Sequence, residues 1–149
     1  MAGFDLKYNN QNSEITVDEL QPYLQSILKH YDEQVANEVN SIIYEVVVET
    51  VKDLKSSSPN SGYARKEHYA DAWSRHKDGN NGYTIYNKKY QLTHLLENGH
   101  DIVAPYYSSK KGKVIGHSPR VEHIRPAYER MKARLEQESK KRLEGLKGG

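Results

Sequence analysis

Three side chains between residues 94 and 100 are of types that do chemistry. His94, Glu97 and His100 follow one another at intervals of three, and imidazole and carboxylate groups bind Zn²⁺ and transfer protons. A zinc-protease helix, however, places its two histidines four residues apart, and Asn98-Gly99 is typical of a helix end that falls before the second histidine. The spacing therefore predicts a structural role, with a histidine bonded to backbone, Glu97 capping or pairing, and no metal.

The same segment predicts a short helix that begins near Lys89. Leu92, Leu95 and Leu96 lie at positions i, i+3 and i+4, which gives the helix one apolar edge. Gly99 is expected to take a left-handed backbone conformation and so to end the helix.

A second candidate is Val121 to Pro126, which resembles the "D/H-H-I-x-P" core of His-Asn-His endonucleases. That family needs an asparagine and a final histidine downstream, and neither occurs after His123. A small nuclease is therefore the weakest of the alternatives considered. The chain also has no phosphate-binding glycine loop, Ser/His/Asp arrangement or cofactor fingerprint, so the sequence indicates no catalytic residue and no cofactor.

A third candidate lies in residues 106 to 113, where aromatic and cationic side chains occur close together, as they do in proteins that bind single-stranded nucleic acid. The residues concerned are Tyr106, Tyr107, Lys110, Lys111 and Lys113. Residues 101 to 115 are expected to be a mobile loop that becomes ordered on a partner, because a segment of this length with little secondary structure is usually functional or disordered. The loop is thus either a protein interface or the site of a basic nucleic-acid-binding module.

A long amphipathic helix should precede these motifs. Thr16 to Glu19 matches a capping box, and Pro22 places the start of the helix near Gln21, from where it runs to about Lys55. The apolar positions are Leu20, Leu24, Ile27, Tyr31, Val35, Val39, Ile42, Val46 and Leu54, with Thr50 between the last two. Because such a helix spans roughly 50 Å, we expect another copy to bury part of this stripe, at Val39 and Val46.

The remaining elements complete an α+β fold in which the long N-terminal helix and a C-terminal helix pack on a small antiparallel sheet. Strands are predicted over 72–77 and 83–87, joined by a turn at Gly79 to Gly82, with a third strand at 113–116. Pro126 suits the first turn of the closing helix, whose inward residues are Tyr128, Met131 and Leu135. Residues 1–13 are predicted to be a flexible arm, 14–140 one domain and 141–149 a flexible tail.

Composition limits the class of protein. The 149 residues include no cysteine, which excludes disulfides and thiolate metal sites. The chain shows no signal peptide, and its longest aliphatic cluster, residues 42 to 48, is too short to span a bilayer. These features predict a soluble protein that is made in the cytoplasm and does not enter a membrane.

Charge is distributed unevenly along the chain. Residues 1–54 contain three lysines and no arginine against ten acidic residues, whereas residues 55–149 contain nineteen basic and ten acidic residues. Two interpretations stay open at this point. Either the two halves fold together and their charges partly cancel, or the acidic part of one copy binds the basic part of the next and closes a ring.

Four motifs occur in the order found in one family of tailed-bacteriophage neck and tail-completion proteins. Thr93 to His100 resembles the family's signature "THLLE-x-GH", and Gly116 to Ala127 is similar to its "G-x-pHI-x-PA" motif. Ser58 to Ala64 resembles the turn "SP-x-x-TG-x-Y/L", although Ser61 replaces the usual threonine, and a strand ending at Tyr90 leads into the signature. The positions that carry the resemblance are His94, Leu95, Leu96, Glu97, Gly99, His100, His123 and Pro126.

The resemblance covers roughly residues 14 to 140 and implies a structural virion protein rather than an enzyme. A member of this family would join the tail to the head connector as a ring of identical subunits, with six or twelve copies as the candidate sizes. Its implied partners are a tail-tube or tail-terminator protein, a head-closure or connector protein, and DNA passing through the lumen. Its implied location is the virion neck, after synthesis in the host cytoplasm.

Overall fold

The computed structural model describes residues 7–9, 14–16, 33–59, 67–79 and 82–147. Within them, the helices are α1 (Glu33–Ser57), α2 (Tyr90–Asn98) and α3 (Ile124–Lys147). The strands are β1 (Lys7–Asn9), β2 (Glu14–Thr16), β3 (Trp73–Lys77), β4 (Tyr83–Asn87), β5 (His100–Val103) and β6 (Val114–Ser118). Two long helices and two small antiparallel sheets make this an α+β fold, as the sequence predicted.

The hydrophobic core lies between α1 and α3. Apolar residues recur along α1 at the helical period and are buried, as are the inward residues of α3. Those of α1 are Val35, Val39, Ile42, Ile43, Val46, Val47, Val51 and Leu54, and those of α3 are Ile124, Ala127, Met131 and Leu135. Tyr128, the third predicted inward residue, is half-buried against this core.

The predicted interface at Val39 and Val46 is wrong. Their relative exposures within a single copy are only 4% and 3%, so neither side chain is available to a neighbour. The inward residues predicted for the closing helix end at Leu135, whereas α3 continues to Lys147 and Leu143 still packs against the core. α3 is therefore long enough to cover α1. The predicted start of the long helix, near Gln21, lies outside the described residues.

Ion pairs join the same two helices. Arg130 donates to both carboxylate oxygens of Asp53, at 2.7 and 2.9 Å. Arg142 pairs with Glu38 and with Glu45, the latter at 2.8 Å. Carboxylates from the acidic half thus meet arginines from the basic half within one molecule, which favours internal cancellation of charge over head-to-tail pairing through α1. Residues 141–147, which were expected to be a flexible tail, continue α3 instead.

The first sheet has the strand order β1-β2-β4-β3, and all of its pairs are antiparallel. The predicted β3–β4 hairpin is confirmed, with Arg75 opposite Ile85, and Trp73 and Ile85 are buried in the core. Lys7–Asn9 was expected in the flexible arm but forms β1, because it finds backbone partners in β2. Thr16, the expected first residue of a capping box, ends β2, and residues 17–19 lie outside the described residues.

The second sheet is a two-stranded ribbon of β5 and β6, with His100 opposite Ser118 and Ile102 opposite Gly116. The strand predicted at 113–116 is confirmed in type and lies one to two residues further on. The expectation that residues 101–115 have little secondary structure is wrong, because residues 101–103 belong to β5 and residues 114–115 to β6. None of the helices in the described residues has the length and apolarity needed to cross a membrane.

The seam between α1 and α3 should dominate the stability of the fold. Met131 is buried between these helices, so Met131→Ala should lower the free energy of unfolding by about 2 to 5 kcal/mol through lost contacts and a cavity. Met131→Leu keeps the volume and should cost less than about 1.5 kcal/mol. Urea denaturation of both variants measures the difference. Equal, small losses would show that this seam is not the main core.

Candidate functional site

Glu97, in the last turn of α2, caps the N-terminus of α3. Its Oε2 accepts hydrogen bonds from the backbone N–H groups of His123 at 2.8 Å and Ile124 at 3.1 Å, and its Oε1 accepts from Arg125 at 2.9 Å. The first N–H groups of a helix have no partner within the helix, and the helix dipole favours a negative charge there. The sequence predicted a capping or pairing role for Glu97, and this geometry provides the cap.

The ring of His123 connects Glu97 to Tyr69 through buried hydrogen bonds, and these three side chains form what we call the relay. The Nδ1 atom of His123 lies 2.8 Å from the carbonyl oxygen of Val121 and 3.1 Å from Oε2 of Glu97. Both neighbours are acceptors, so in the neutral ring the proton lies on Nδ1. Nε2 then accepts the hydroxyl proton of Tyr69 at 2.8 Å. Trp73 and Tyr69 pack edge-on against the imidazole and complete its surroundings.

Carboxylate, imidazole and hydroxyl follow one another here in the order that activates a nucleophile in serine hydrolases. Catalysis would require a substrate to reach the hydroxyl, but Tyr69, His123 and Glu97 are all buried. A surface cavity of about 430 Å³ is lined by residues 88 to 92 and includes none of the three. The relay therefore joins α2, α3 and the segment before β3, and it offers no reactive group at the surface.

The electrostatics of Glu97 follow from these contacts. Burial alone would raise the pKa of this carboxyl, but hydrogen bonds from the His123 ring and from three backbone N–H groups lower the pKa to about 2. Glu97 is thus ionised across the physiological range, and the buried charge is compensated by the donors that it holds together.

Gly99 permits the close approach of the two motifs. Its φ of 73° and ψ of 167° lie in a region that only glycine adopts readily, and a positive φ was predicted. A Cβ at this position would meet the carbonyl oxygen of Ser118 at 2.8 Å and the backbone nitrogen of Arg120 at 3.1 Å. Next to it, the backbone N–H of Val121 donates to the carbonyl of Leu96 at 2.8 Å. The end of α2 is therefore bound directly to the segment leading into α3.

His94 and His100 do not join Glu97. His94 is exposed, and the Asn98 amide lies 3.1 Å from its Nδ1. His100 begins β5, and its buried Nδ1 has no hydrogen-bond partner in the described part of the chain. Among the described residues neither ring makes the expected bond to backbone, and His123 makes such a bond instead. No group of three or more His, Asp or Glu side chains among the described residues could hold a metal ion.

The other signature residues serve packing. Leu95 is half-buried and Leu96 packs against the core, whereas Leu92, predicted on the same edge, is largely exposed. Pro126 lies in the first turn of α3, as predicted. Sequence reasoning missed the partnership of Glu97 with His123 and Tyr69. One signal was present: the residue before α3 is a histidine rather than Ser, Thr, Asp or Asn, so the helix needs a capping group from elsewhere.

The remaining predicted residues lie together at the tip of the β5–β6 ribbon, residues 104 to 113, where the chain passes from β5 to β6. Tyr106 and Tyr107 are 80% and 90% exposed, and the three lysines at positions 110, 111 and 113 are exposed as well. The Nζ atom of Lys111 lies 3.4 Å from the centre of the Tyr106 ring, which is a cation–π contact. All five side chains are available to a partner.

A comparison with models of known protein families finds no match, and comparisons with curated proteins and with solved structures find none either. The resemblance to the tail-completion family thus depends on the motifs described above and stays a prediction.

Glu97→Gln should lower the free energy of unfolding by about 1 to 3 kcal/mol at pH 7, because the amide has one acceptor oxygen and no charge for the cap. The pKa of Glu97 is lower in the folded than in the unfolded chain, so its contribution is complete above about pH 4.5 and lost as the pH falls toward 2. The gap between wild type and variant should close over that range. Urea denaturation at a series of pH values measures this gap, with Glu136→Gln, an exposed change on α3, as the control. A gap independent of pH would contradict the assignment.

Gly99→Ala and Gly112→Ala form a matched pair, because both glycines have a φ near 74° but only Gly99 has close neighbours. Gly112→Ala should cost about 1 to 2 kcal/mol, the ordinary cost of a positive φ. Gly99→Ala should cost more, since Ser118 must also move. Thermal or urea denaturation of both variants tests this order, and the reverse order would count against a close approach at Gly99.

Proposed function

We propose that this protein is a structural subunit of a tailed-phage neck, joining the tail to the head connector as part of a ring of identical copies. The observation that carries the proposal is the cap between the two most specific motifs. Glu97 from the "THLLE-x-GH" segment holds the N-terminus of the helix that begins with the "HI-x-PA" segment. A physical link of this kind gives the two motifs a reason to occur together, and it supports treating them as one family signature.

The contacts of the polar signature residues support a structural role for the protein rather than an enzymatic one. Glu97 and His123 form hydrogen bonds with backbone groups, with each other and with Tyr69, and all of these bonds lie inside the protein. The nuclease alternative gains no support, because His123 is its key residue and is buried. The proposal therefore assigns the signature to stability and not to chemistry.

The assembly surface in this proposal is the β5–β6 ribbon. A two-stranded ribbon is marginally stable by itself, and this one exposes four large β-branched side chains. They are Ile102, Val103, Val114 and Ile115. A neighbouring copy that covered them would bury apolar area and stabilise the ribbon. In the proposed ring, the remaining faces bind a head-closure or connector protein on one side and a tail-tube or terminator protein on the other, within the virion.

The double variant Val103→Asp/Val114→Asp tests this surface. Both side chains are more than half exposed, so the isolated subunit should lose no more than about 1 kcal/mol of stability, while self-association should fail. Leu146→Asp places the same charge on an exposed apolar residue of α3 and is the matched control. Light scattering after gel filtration, and incorporation of the subunit into particles when neck and tail proteins are co-expressed, are the measurements. Normal assembly by the double variant would refute the ribbon as the interface.

A further inference from the structure

Backbone hydrogen bonds shape the tip of the β5–β6 ribbon. The backbone closes at its base through a bond of 2.9 Å from the Ala104 N–H to the carbonyl of Lys113. Three further turns follow within it, with backbone N–H groups donating from Ser108 to Pro105 at 2.9 Å, from Lys111 to Ser108 at 3.0 Å and from Lys113 to Lys110 at 2.9 Å. Because these turns fix the backbone, the three lysines project from a defined surface rather than from an extended chain.

The cations of the tip have no carboxylate partner in the described part of the molecule. None of Lys110, Lys111 and Lys113 takes part in an ion pair there, and the nearest acidic residue in the ribbon, Asp101, bonds to His117 at 3.0 Å. The tip therefore presents three positive charges to whatever binds it.

On the α1 helix of a second copy, Glu33 is the one carboxylate without an ion pair among the described residues. Asp53 is engaged by Arg130, both Glu38 and Glu45 are engaged by Arg142, and Glu49 pairs with Lys52. A partner for the tip that used these carboxylates would have to break bonds within its own subunit. One unpaired carboxylate on α1 is a poor match for three lysines, and on α3 eight basic residues outnumber four acidic ones. The charge of the tip is thus better matched by an anion that comes from a different molecule.

The position of Lys111 indicates which kind of anion. Its ammonium occupies one face of the Tyr106 ring, so this ring binds the cation and keeps only its other face for a stacked base. Tyr107 presents its hydroxyl at the surface, and lysine and tyrosine side chains are common donors to phosphate oxygens. These groups suit a row of phosphates more than they suit unpaired bases.

We propose that the tip, residues 104 to 113, binds the phosphate backbone of double-stranded DNA without reading its sequence. The choice of double-stranded DNA rests on the proposed function, since a neck ring surrounds the genome as it passes. The binding itself is a property of the subunit: weak for one copy and multiplied when several tips of a ring contact the same duplex.

The test is fluorescence anisotropy of a labelled 30-base-pair duplex of arbitrary sequence, titrated with the full chain at 20 to 200 mM NaCl. The variant Lys110→Gln/Lys111→Gln/Lys113→Gln removes the three charges. The matched control, Lys55→Gln/Lys140→Gln/Lys141→Gln, removes three charges from exposed positions on α1 and α3. Circular dichroism establishes that both variants are folded.

Loss of three phosphate contacts should reduce the slope of log K against log salt by about 2 to 3, and should weaken binding at low salt by more than about tenfold. The control should lose much less. The proposal is overturned if wild type does not bind the duplex at 20 mM NaCl, or if both variants lose affinity equally. It is also overturned if a single strand binds more tightly than the duplex and Tyr107→Ala abolishes that preference, or if polyglutamate binds as tightly as the duplex.

These outcomes separate this inference from the proposed function. A tip variant that loses DNA binding but still assembles supports the inference and leaves the ring intact. A chain that binds the duplex through its tip and never assembles would support the inference while refuting the ring.

Discussion

The carboxylate of Glu97 holds the N-terminal end of α3, and much of the arrangement depends on it. A helix that starts without a capping side chain of its own leaves its first N–H groups unsatisfied, and in a buried position that is costly. Glu97 satisfies three of these groups from the end of α2 and bonds to the His123 ring as well. The buried charge and the buried helix end would each be unfavourable alone, and each removes the penalty of the other.

The cap also fixes the direction in which α3 leaves, and so the contact between α3 and α1. From Ile124 onward, α3 packs its apolar residues against those of α1, with Arg130 and Arg142 meeting carboxylates of α1 along the edge of the seam. The apolar contact supplies most of the stabilisation, because ion pairs near the surface contribute little each. The ion pairs have a second effect, because they neutralise carboxylates of α1 that would otherwise attract a basic surface of a neighbouring copy.

The β5–β6 ribbon is organised differently from the rest. Between α2 and α3 the chain leaves the scaffold, forms two strands and returns, and Gly99 allows the returning segment to pass close to the helix end. The scaffold of helices and first sheet buries an apolar core together with Glu97 and His123, whereas the ribbon exposes valines, isoleucines, tyrosines and lysines. A rigid base carrying an exposed, partly apolar and basic projection is suited to contacts between molecules, which is why both proposals assign contacts to the ribbon.

Local patterns in the sequence determined the elements. Alternation and turn residues gave β3 and β4, the helical period gave the buried face of α1, and Asn98-Gly99 gave the end of α2, because each depends on neighbours only a few residues away. The tertiary structure decided what those patterns do not encode. Glu97 and His123 are 26 residues apart, so no spacing rule relates them, and β5 was missed because its partner strand lies beyond the tip. Val39 and Val46 were assigned to an interface because an apolar stripe has the same sequence pattern whether it packs against the chain's own α3 or against another copy. Only the packed fold shows that α3 covers it.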